Sequence, residues 1–136
     1  MGLTPMDVYI DACIAIYLVE EHPEHAARIE ARLRGSTVRI AYSPLVKMEC
    51  LVLPMRQKRM ELIERFHDFF SLNQPLSITD AVFSQATELR AQHGLKTPDA
   101  LHLATALHYG CAALWTNDDR LNKVAGSLAV NVLAFA

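Results

Sequence analysis

The chain has 136 residues, of which 51% are hydrophobic and 21% charged, and its formal net charge at pH 7 is −2. This is an ordinary globular composition, long enough to bury a core, so we expect one domain spanning residues 1–136. No apolar run reaches the roughly 20 residues of a membrane-spanning helix. The small negative charge excludes a strongly basic, indiscriminate nucleic-acid binder.

The N-terminal segment and the cysteines predict a cytoplasmic protein. The segment contains Asp7 and Asp11 and no basic leader, which is not typical of a signal peptide. Cys13, Cys50 and Cys111 are odd in number and far apart, with no C-x-x-C or zinc-type spacing. Free thiols in a reducing compartment are therefore the expectation.

Short β-favouring runs alternate with helical patterns along the chain. Val8, Tyr9 and Ile10 predict a buried strand that ends at Asp11. The further predicted strands are residues 37–42, 72–78 (at best a short edge strand, because a proline interrupts it), 112–115 and 130–135. This alternation favours a parallel sheet flanked by helices.

The helical patterns come with start and stop signals. They cover residues 12–19, 23–34, 45–53, 56–70, 79–94, 97–109 and 120–124. Ser43 is expected to cap the third helix, with Pro44 at its first position and Pro54 at its end. Thr79 is expected to cap the fifth helix. The residues predicted on the inner face of this fifth helix are Val82, Phe83, Ala86 and Leu89.

The helix predicted for residues 97–109 has an acid in its first turn, directly before an apolar segment. Thr97 is its expected N-cap, Pro98 its expected first residue, and Asp99 falls in its first turn. The following positions are apolar on nearly every side, which predicts a buried helix. Helix capping is one explanation for Asp99, but three other acids lie in comparable places.

Four acids are expected to meet at one edge of the predicted sheet. Asp11 and Asp118 directly follow two strands, and Asp99 opens the helix that leads into the second of these strands. Glu49 lies beside the apolar stripe of another helix. In a parallel sheet, ligands bind outside the carboxyl ends of the strands, where the strand order reverses. Singly, each acid could be a turn, cap or surface residue, and Asp119 ranks second to Asp118.

Neighbouring carboxylates repel each other, and a divalent cation removes this repulsion. All-oxygen ligands suit Mg²⁺ or Mn²⁺ rather than zinc or copper, and Mg²⁺ held by carboxylates serves phosphodiester hydrolysis. No phosphate-binding glycine loop is present in the sequence. His102 and His108 are interpreted as packed or capping residues, and Cys13 as a small buried hydrophobic residue.

The four acids stand in short motifs that follow one another between residues 7 and 133. These motifs are V-Y-I-D ending at Asp11, S-P-L-V-K-M-E ending at Glu49, T-P-D-A-L-H-L-A around Asp99, and T-N-D ending at Asp118. Together they resemble the motifs of PIN-domain ribonucleases, in particular the VapC-like toxins of toxin–antitoxin pairs. The family usually has Asn, Ser or Thr two residues after its first acid, where this chain has Cys13.

The resemblance implies a small three-layer α/β/α sandwich on a mainly parallel sheet, with Mg²⁺ or Mn²⁺ as cofactor and RNA as substrate. It also implies a homodimer, inhibited by a small antitoxin protein, and no membrane association. The catalytic and metal-ligating residues that it implies are Asp11, Glu49, Asp99 and Asp118. The possible neighbours of these ligands are Thr116, Cys13 and Asp119.

Two alternatives stay open. A phosphate-handling enzyme or switch is disfavoured: a haloacid-dehalogenase-type phosphatase needs a second aspartate where Cys13 stands. A receiver domain needs an aspartate on a middle strand, and none lies between Asp11 and Asp68. The other alternative is a catalytically weakened PIN-like module that acts by binding RNA or a protein partner, and Cys13 is the residue that favours it.

Overall fold

The computed structural model describes residues 6–35, 37–126 and 129–130. The strands in these ranges are β1 (Met6–Ile10), β2 (Val38–Tyr42), β3 (Gln74–Pro75), β4 (Ala113–Trp115) and β5 (Ala129–Val130). The helices are α1 (Ala12–Val19), α2 (His25–Arg34), α3 (Pro44–Arg56), α4 (Met60–Ser71), α5 (Asp80–His93), α6 (Thr97–His108) and α7 (Asp119–Ala125). None of these described helices is long and apolar enough to cross a bilayer. Most of the strand predicted for residues 130–135 lies outside the described residues.

The five strands form one sheet in the order β3-β2-β1-β4-β5, and every neighbouring pair is parallel. β1 is central, because Val8 is paired with Ile40 of β2 on one side and with Ala113 of β4 on the other. The chain builds outward through β2 and β3, then crosses to the other side of β1 for β4 and β5. The strand order therefore reverses between β1 and β4.

Helices cover both faces of the sheet. Val8, Tyr9 and Ile10 are all buried, although successive side chains of a strand point to opposite faces. A strand buried on both sides is typical of a parallel sheet between two helical layers. The predicted three-layer α/β/α sandwich is confirmed.

Helix α6 lies in the core, as its apolar pattern predicts. Every residue from Ala100 to Ala106 is buried. Two of them are polar, and both have partners: the Thr105 hydroxyl donates to the Leu101 carbonyl at 2.6 Å, and His102 belongs to the site described below.

Predicted helix ends are wrong between residues 53 and 60 and at Thr97. The helix predicted from residue 56 begins at Met60, because Arg56 still belongs to α3. Pro54 lies inside α3, which continues to Arg56. A proline here removes only the hydrogen bond to the Cys50 carbonyl, near the helix end, and its buried ring still packs. Lys96, not Thr97, is the extended residue before α6, because the Ala100 N–H already closes a turn on the Lys96 carbonyl at 3.0 Å.

The predicted inner face of α5 is right at three positions and wrong at one. Thr79 caps this helix, with its hydroxyl accepting from the Val82 N–H at 3.3 Å. Val82 and Ala86 are buried and Leu89 packs against the core. Phe83 is half exposed, since it lies about 100° around the helix from Val82 and so falls on the solvent side.

Candidate active site

The first two site residues meet where the strand order reverses. Asp11 follows β1 and Thr116 follows β4, and the Asp11 N–H donates to the Trp115 carbonyl at 3.2 Å. The Thr116 hydroxyl then donates to Oδ2 of Asp11. Two residues that are 105 positions apart in sequence are therefore in direct contact at this edge of the sheet.

The Asp11 carboxylate is held by three donors. Oδ2 accepts from Thr116, and Oδ1 accepts from the Ile14 N–H at 3.3 Å and from the Cys13 thiol at 2.8 Å. Asp11 is thus the N-cap of α1 as well as a candidate site residue, and it is buried. A carboxylate has about four acceptor positions, so one remains for a further partner.

Cys13 lies beside Asp11, where a neighbour of a ligand is expected, but it is not the small buried hydrophobic residue that the sequence predicts. It is half-buried rather than buried, and it acts as a hydrogen-bond donor, not only as a small apolar side chain. Burial and the charge of Asp11 both raise the pKa of the Cys13 thiol. The thiol therefore stays protonated and keeps donating to Asp11.

Thr116 also connects Asp11 to Asp118. The Asp118 N–H donates to the Thr116 hydroxyl oxygen at 3.0 Å. The Asp118 carboxylate caps α7, where Oδ1 accepts from the N–H groups of Arg120 at 2.9 Å and Leu121 at 3.3 Å. Its neighbour Asp119 is exposed in the first turn of α7.

Asp99 lies in the first turn of α6, as predicted, near two other acids. Burial raises the pKa of its carboxyl group, and the negative charges of Asp118 and Glu49 raise it further, while His102 and, to a smaller extent, Arg120 lower it. Among the described residues, no donor forms a hydrogen bond with its carboxylate. The three acids are close enough to repel each other, and this is the condition in which a cation is favourable.

Glu49 reaches the same region from α3. Its Oε1 atom lies 2.7 Å from Nε2 of His102. The other ring nitrogen of His102, Nδ1, lies 2.6 Å from the Tyr9 hydroxyl, which is 2.8 Å from the Ser43 hydroxyl. The burial predicted for His102 is confirmed, but its contact with Glu49 was not predicted. The available signal was the spacing: His102 follows Asp99 by three residues, on the same side of α6.

The atoms available as metal ligands suit a hard cation. Both nitrogens of His102 already form hydrogen bonds, and the Cys13 thiol is protonated, so carboxylate oxygens are the metal ligands that remain. Within the described ranges, no three His, Cys, Asp or Glu side chains lie close enough to enclose one ion.

The fold and the site define a class of α/β proteins in which acids gather at the reversal point of a parallel sheet. The family model for the PIN domain matches residues 8–127. The chain belongs to the PIN domain family. No curated protein matches it in sequence.

Solved structures of toxin–antitoxin proteins have a similar fold. A toxin–antitoxin complex from Klebsiella pneumoniae is 23% identical, with a TM-score of 0.76 over 92% of this chain and 97% of the other. VapBC2 from Rickettsia felis, bound to a promoter DNA fragment, is 19% identical, with a TM-score of 0.74 over 92% and 98%. VapC20 from Mycobacterium tuberculosis, a sarcin–ricin loop cleaving toxin, is 14% identical, with a TM-score of 0.71 over 85% and 93%.

Proposed function

We propose that the chain is a Mg²⁺- or Mn²⁺-dependent endoribonuclease that hydrolyses RNA phosphodiester bonds, and that it is the toxin of a toxin–antitoxin pair. The observation that carries the proposal is the gathering of four acids at the reversal point of the sheet. Asp11 and Asp118 are connected through Thr116, and Asp99 interacts with Asp118 and Glu49. Membership of the PIN family and the toxin–antitoxin proteins of similar fold support it.

In this proposal each acid has a distinct role. Asp11 and Asp118 hold the cation, with Thr116 keeping both in place, and Glu49 completes the negative site. A divalent ion held by these residues would supply activation of the attacking water and would offset charge on the phosphate. Asp99 would accept the proton of the attacking water, because no donor among the described residues occupies its carboxylate.

Exposed apolar side chains on α3 favour the proposal of a protein partner. Its outer side leaves four apolar side chains in water: Met48, Val52, Leu53 and Met55. Apolar patches of this kind mark interaction sites. The partners proposed are a small antitoxin and a second copy of this chain. Light scattering of the chain alone and with the antitoxin gives the stoichiometry of both complexes.

The experiment that tests the nuclease is cleavage of total RNA in Mg²⁺, in Mn²⁺ and in EDTA. Wild type is compared with Asp99→Asn, and Asp7→Asn is the matched control at the opposite end of β1. We expect discrete fragments from wild type and from Asp7→Asn in either metal, and none from Asp99→Asn or in EDTA. Cleavage by Asp99→Asn at the wild-type rate would reject the proposed site.

One observation favours a second candidate, a PIN-like module that binds RNA or protein without cleaving it. The donor to Asp11 at position 13 is a thiol, which is a weaker hydrogen-bond donor than the Asn, Ser or Thr usual in the PIN-domain ribonucleases. A binding module would bind RNA, with or without Mn²⁺, and leave it intact. RNA gel-shift measurements beside the cleavage assay therefore separate the two functions.

A further inference from the structure

A buried chain of hydrogen bonds leads to Glu49. It begins at Ser43, passes through the Tyr9 hydroxyl and both nitrogens of His102, and ends on Oε1 of Glu49. Ser43 and Tyr9 are 0% exposed and His102 is 3% exposed, whereas the Glu49 side chain is 32% exposed. Three buried polar groups thus lead to one acid that faces the solvent.

One direction of hydrogen bonds satisfies both ends of this chain with a neutral His102. The ionised Glu49 carboxylate can only accept, so Nε2 of His102 carries a proton and donates. The Val46 N–H can only donate, and it does so to the Ser43 hydroxyl oxygen at 3.5 Å. The Ser43 hydroxyl then donates to Tyr9, and Tyr9 donates to Nδ1 of His102. Every donor and acceptor is satisfied with His102 as the Nε2–H tautomer.

We propose that His102 is a positioning residue, which holds the Glu49 carboxylate towards Asp99 and the other acids of the site. This inference rests on the proposed nuclease function. His102 and Asp99 are three residues apart on α6, so this hydrogen bond sets Glu49 of α3 relative to Asp99. Without it, Glu49 is free to rotate into solvent, because its own side chain is already 32% exposed.

A packing role alone does not explain these residue types. Phenylalanine at position 9 and leucine at position 102 would fill similar space and bring no polar atoms into the core. A buried hydroxyl or imidazole is favourable only when its hydrogen bonds are made. In the described part of the chain, the partners of the Tyr9 hydroxyl are Ser43 and His102. Tyr9 therefore orients the His102 ring, and the ring orients Glu49.

Two amide substitutions separate positioning from packing. In His102→Gln, the longer side chain places an N–H near the position of Nε2 and still donates to Glu49. In His102→Asn, the shorter side chain accepts from Tyr9 but does not reach Glu49. We expect similar losses in Tm for both variants. We expect kcat for RNA cleavage to fall roughly 10- to 100-fold in His102→Asn, with KM little changed, and to remain near wild type in His102→Gln.

Two controls complete the kinetic test. His108→Asn, an exposed position on the same helix, should leave kcat unchanged. In a Glu49→Gln background, His102→Asn should cause no further loss, because the residue that it positions is already disabled. Equal kcat losses in His102→Gln and His102→Asn, or a full additional loss in the Glu49→Gln background, would overturn the proposal.

A spectroscopic measurement keeps this proposal separate from the nuclease assignment. Nitrogen-15 NMR of the metal-free protein reports which ring nitrogen of His102 carries the proton. We expect a proton on Nε2 and none on Nδ1, and a protonated Nδ1, with or without a proton on Nε2, would overturn the proposed direction of the chain. A wild-type protein that cleaves no RNA but shows the Nε2 proton would reject the nuclease function and support the hydrogen-bond assignment.

Discussion

The two ends of strand β1 each have an aspartate, and these aspartates have opposite surroundings. At the amino end, both oxygens of Asp7 accept from the Arg39 guanidinium of β2, at 2.7 and 3.3 Å. At the carboxyl end, Asp11 accepts from neutral donors, and three more acids are nearby. Within the described ranges, none of these four acids forms an ion pair with lysine or arginine. At the amino end, Arg39 balances the charge of Asp7. At the carboxyl end, the negative charge of the four acids is not balanced by lysine or arginine, so a bound cation would be stabilised there.

The largest expected difference between the two ends is in catalysis. Asp11→Asn should lower RNA cleavage at least about 100-fold, because it removes a charge at the proposed cation site and brings an amide against three existing donors. Asp7→Asn should leave cleavage unchanged, since it affects only a surface pair. Initial cleavage rates in Mn²⁺ measure both variants. Equal rates for the two would remove the functional distinction between the ends of the strand.

Thr116 should show the next largest effect, because it holds Asp11 and Asp118 together. Thr116→Val keeps the side-chain shape but removes the donor to Asp11 and the acceptor for the Asp118 N–H. We expect cleavage to fall roughly 10- to 100-fold. We also expect the free energy of unfolding in urea to fall by about 1–3 kcal/mol. Thr116→Ser should recover most of the cleavage rate and most of the free energy of unfolding. A fully active Thr116→Val would show that the hydrogen bonds of Thr116 to Asp11 and Asp118 are dispensable.

Cys13 should have a smaller effect, because a thiol is a weak donor. Cys13→Ala should lower cleavage by about two- to threefold, as expected for a weak neutral hydrogen bond. Cys13→Ser should equal or exceed wild type, since a hydroxyl is a stronger donor to Asp11. Comparing kcat of the three proteins checks this, and a large gain in Cys13→Ser would indicate that the thiol limits activity.

The smallest expected effect is a gain in stability at the acidic end. The pKa of Asp99 is raised in the folded state, so the folded protein binds that proton more tightly than the unfolded protein does. Stability therefore falls as the pH rises from the ordinary pKa through the raised one, and at pH 7 the charge is destabilising. Without metal, Asp99→Asn should raise Tm slightly at pH 7, and this gain should shrink as the pH is lowered.

Asp7→Asn provides the control for that thermal measurement. It removes a carboxylate that accepts from Arg39, so it should not raise Tm at pH 7. Melting curves of both variants and wild type in metal-free buffer give the comparison. A lower Tm for Asp99→Asn at pH 7 would mean that the favourable interaction of the Asp99 charge with the N-terminus of α6 outweighs its repulsion by Asp118 and Glu49.

Features that depend on neighbouring residues could be predicted from the sequence. Ser43 and Thr79 cap their helices because each hydroxyl accepts from an N–H three residues ahead. The placement of Asp11 and Asp118 after strands follows from the alternation of elements. That the four acids are catalytic and bind metal stays a prediction.

Features that depend on distant residues could not be predicted. The partners of His102 are 93 residues away in β1 and 53 residues away in α3. Apart from the three-residue spacing between Asp99 and His102, nothing in the local pattern of α6 points to them, so the sequence indicated a packed or capping histidine without a named partner. The continuation of α3 past Pro54 likewise depends on packing of a buried ring, which outweighs the local preference of proline to end a helix.

The contact between Asp11 and Thr116 also has a consequence during synthesis of the chain. These residues are 105 positions apart, so a ribosome adding about 5–20 residues per second needs roughly 5–20 s to produce the second after the first. Until then β1 lacks its β4 neighbour and Asp11 lacks one of its three donors. A prematurely terminated product that ends before Thr116 would have Asp11, Glu49 and Asp99 but no complete site. Under the proposed function, a cell making this protein would be exposed to nuclease activity only from chains that extend past Thr116.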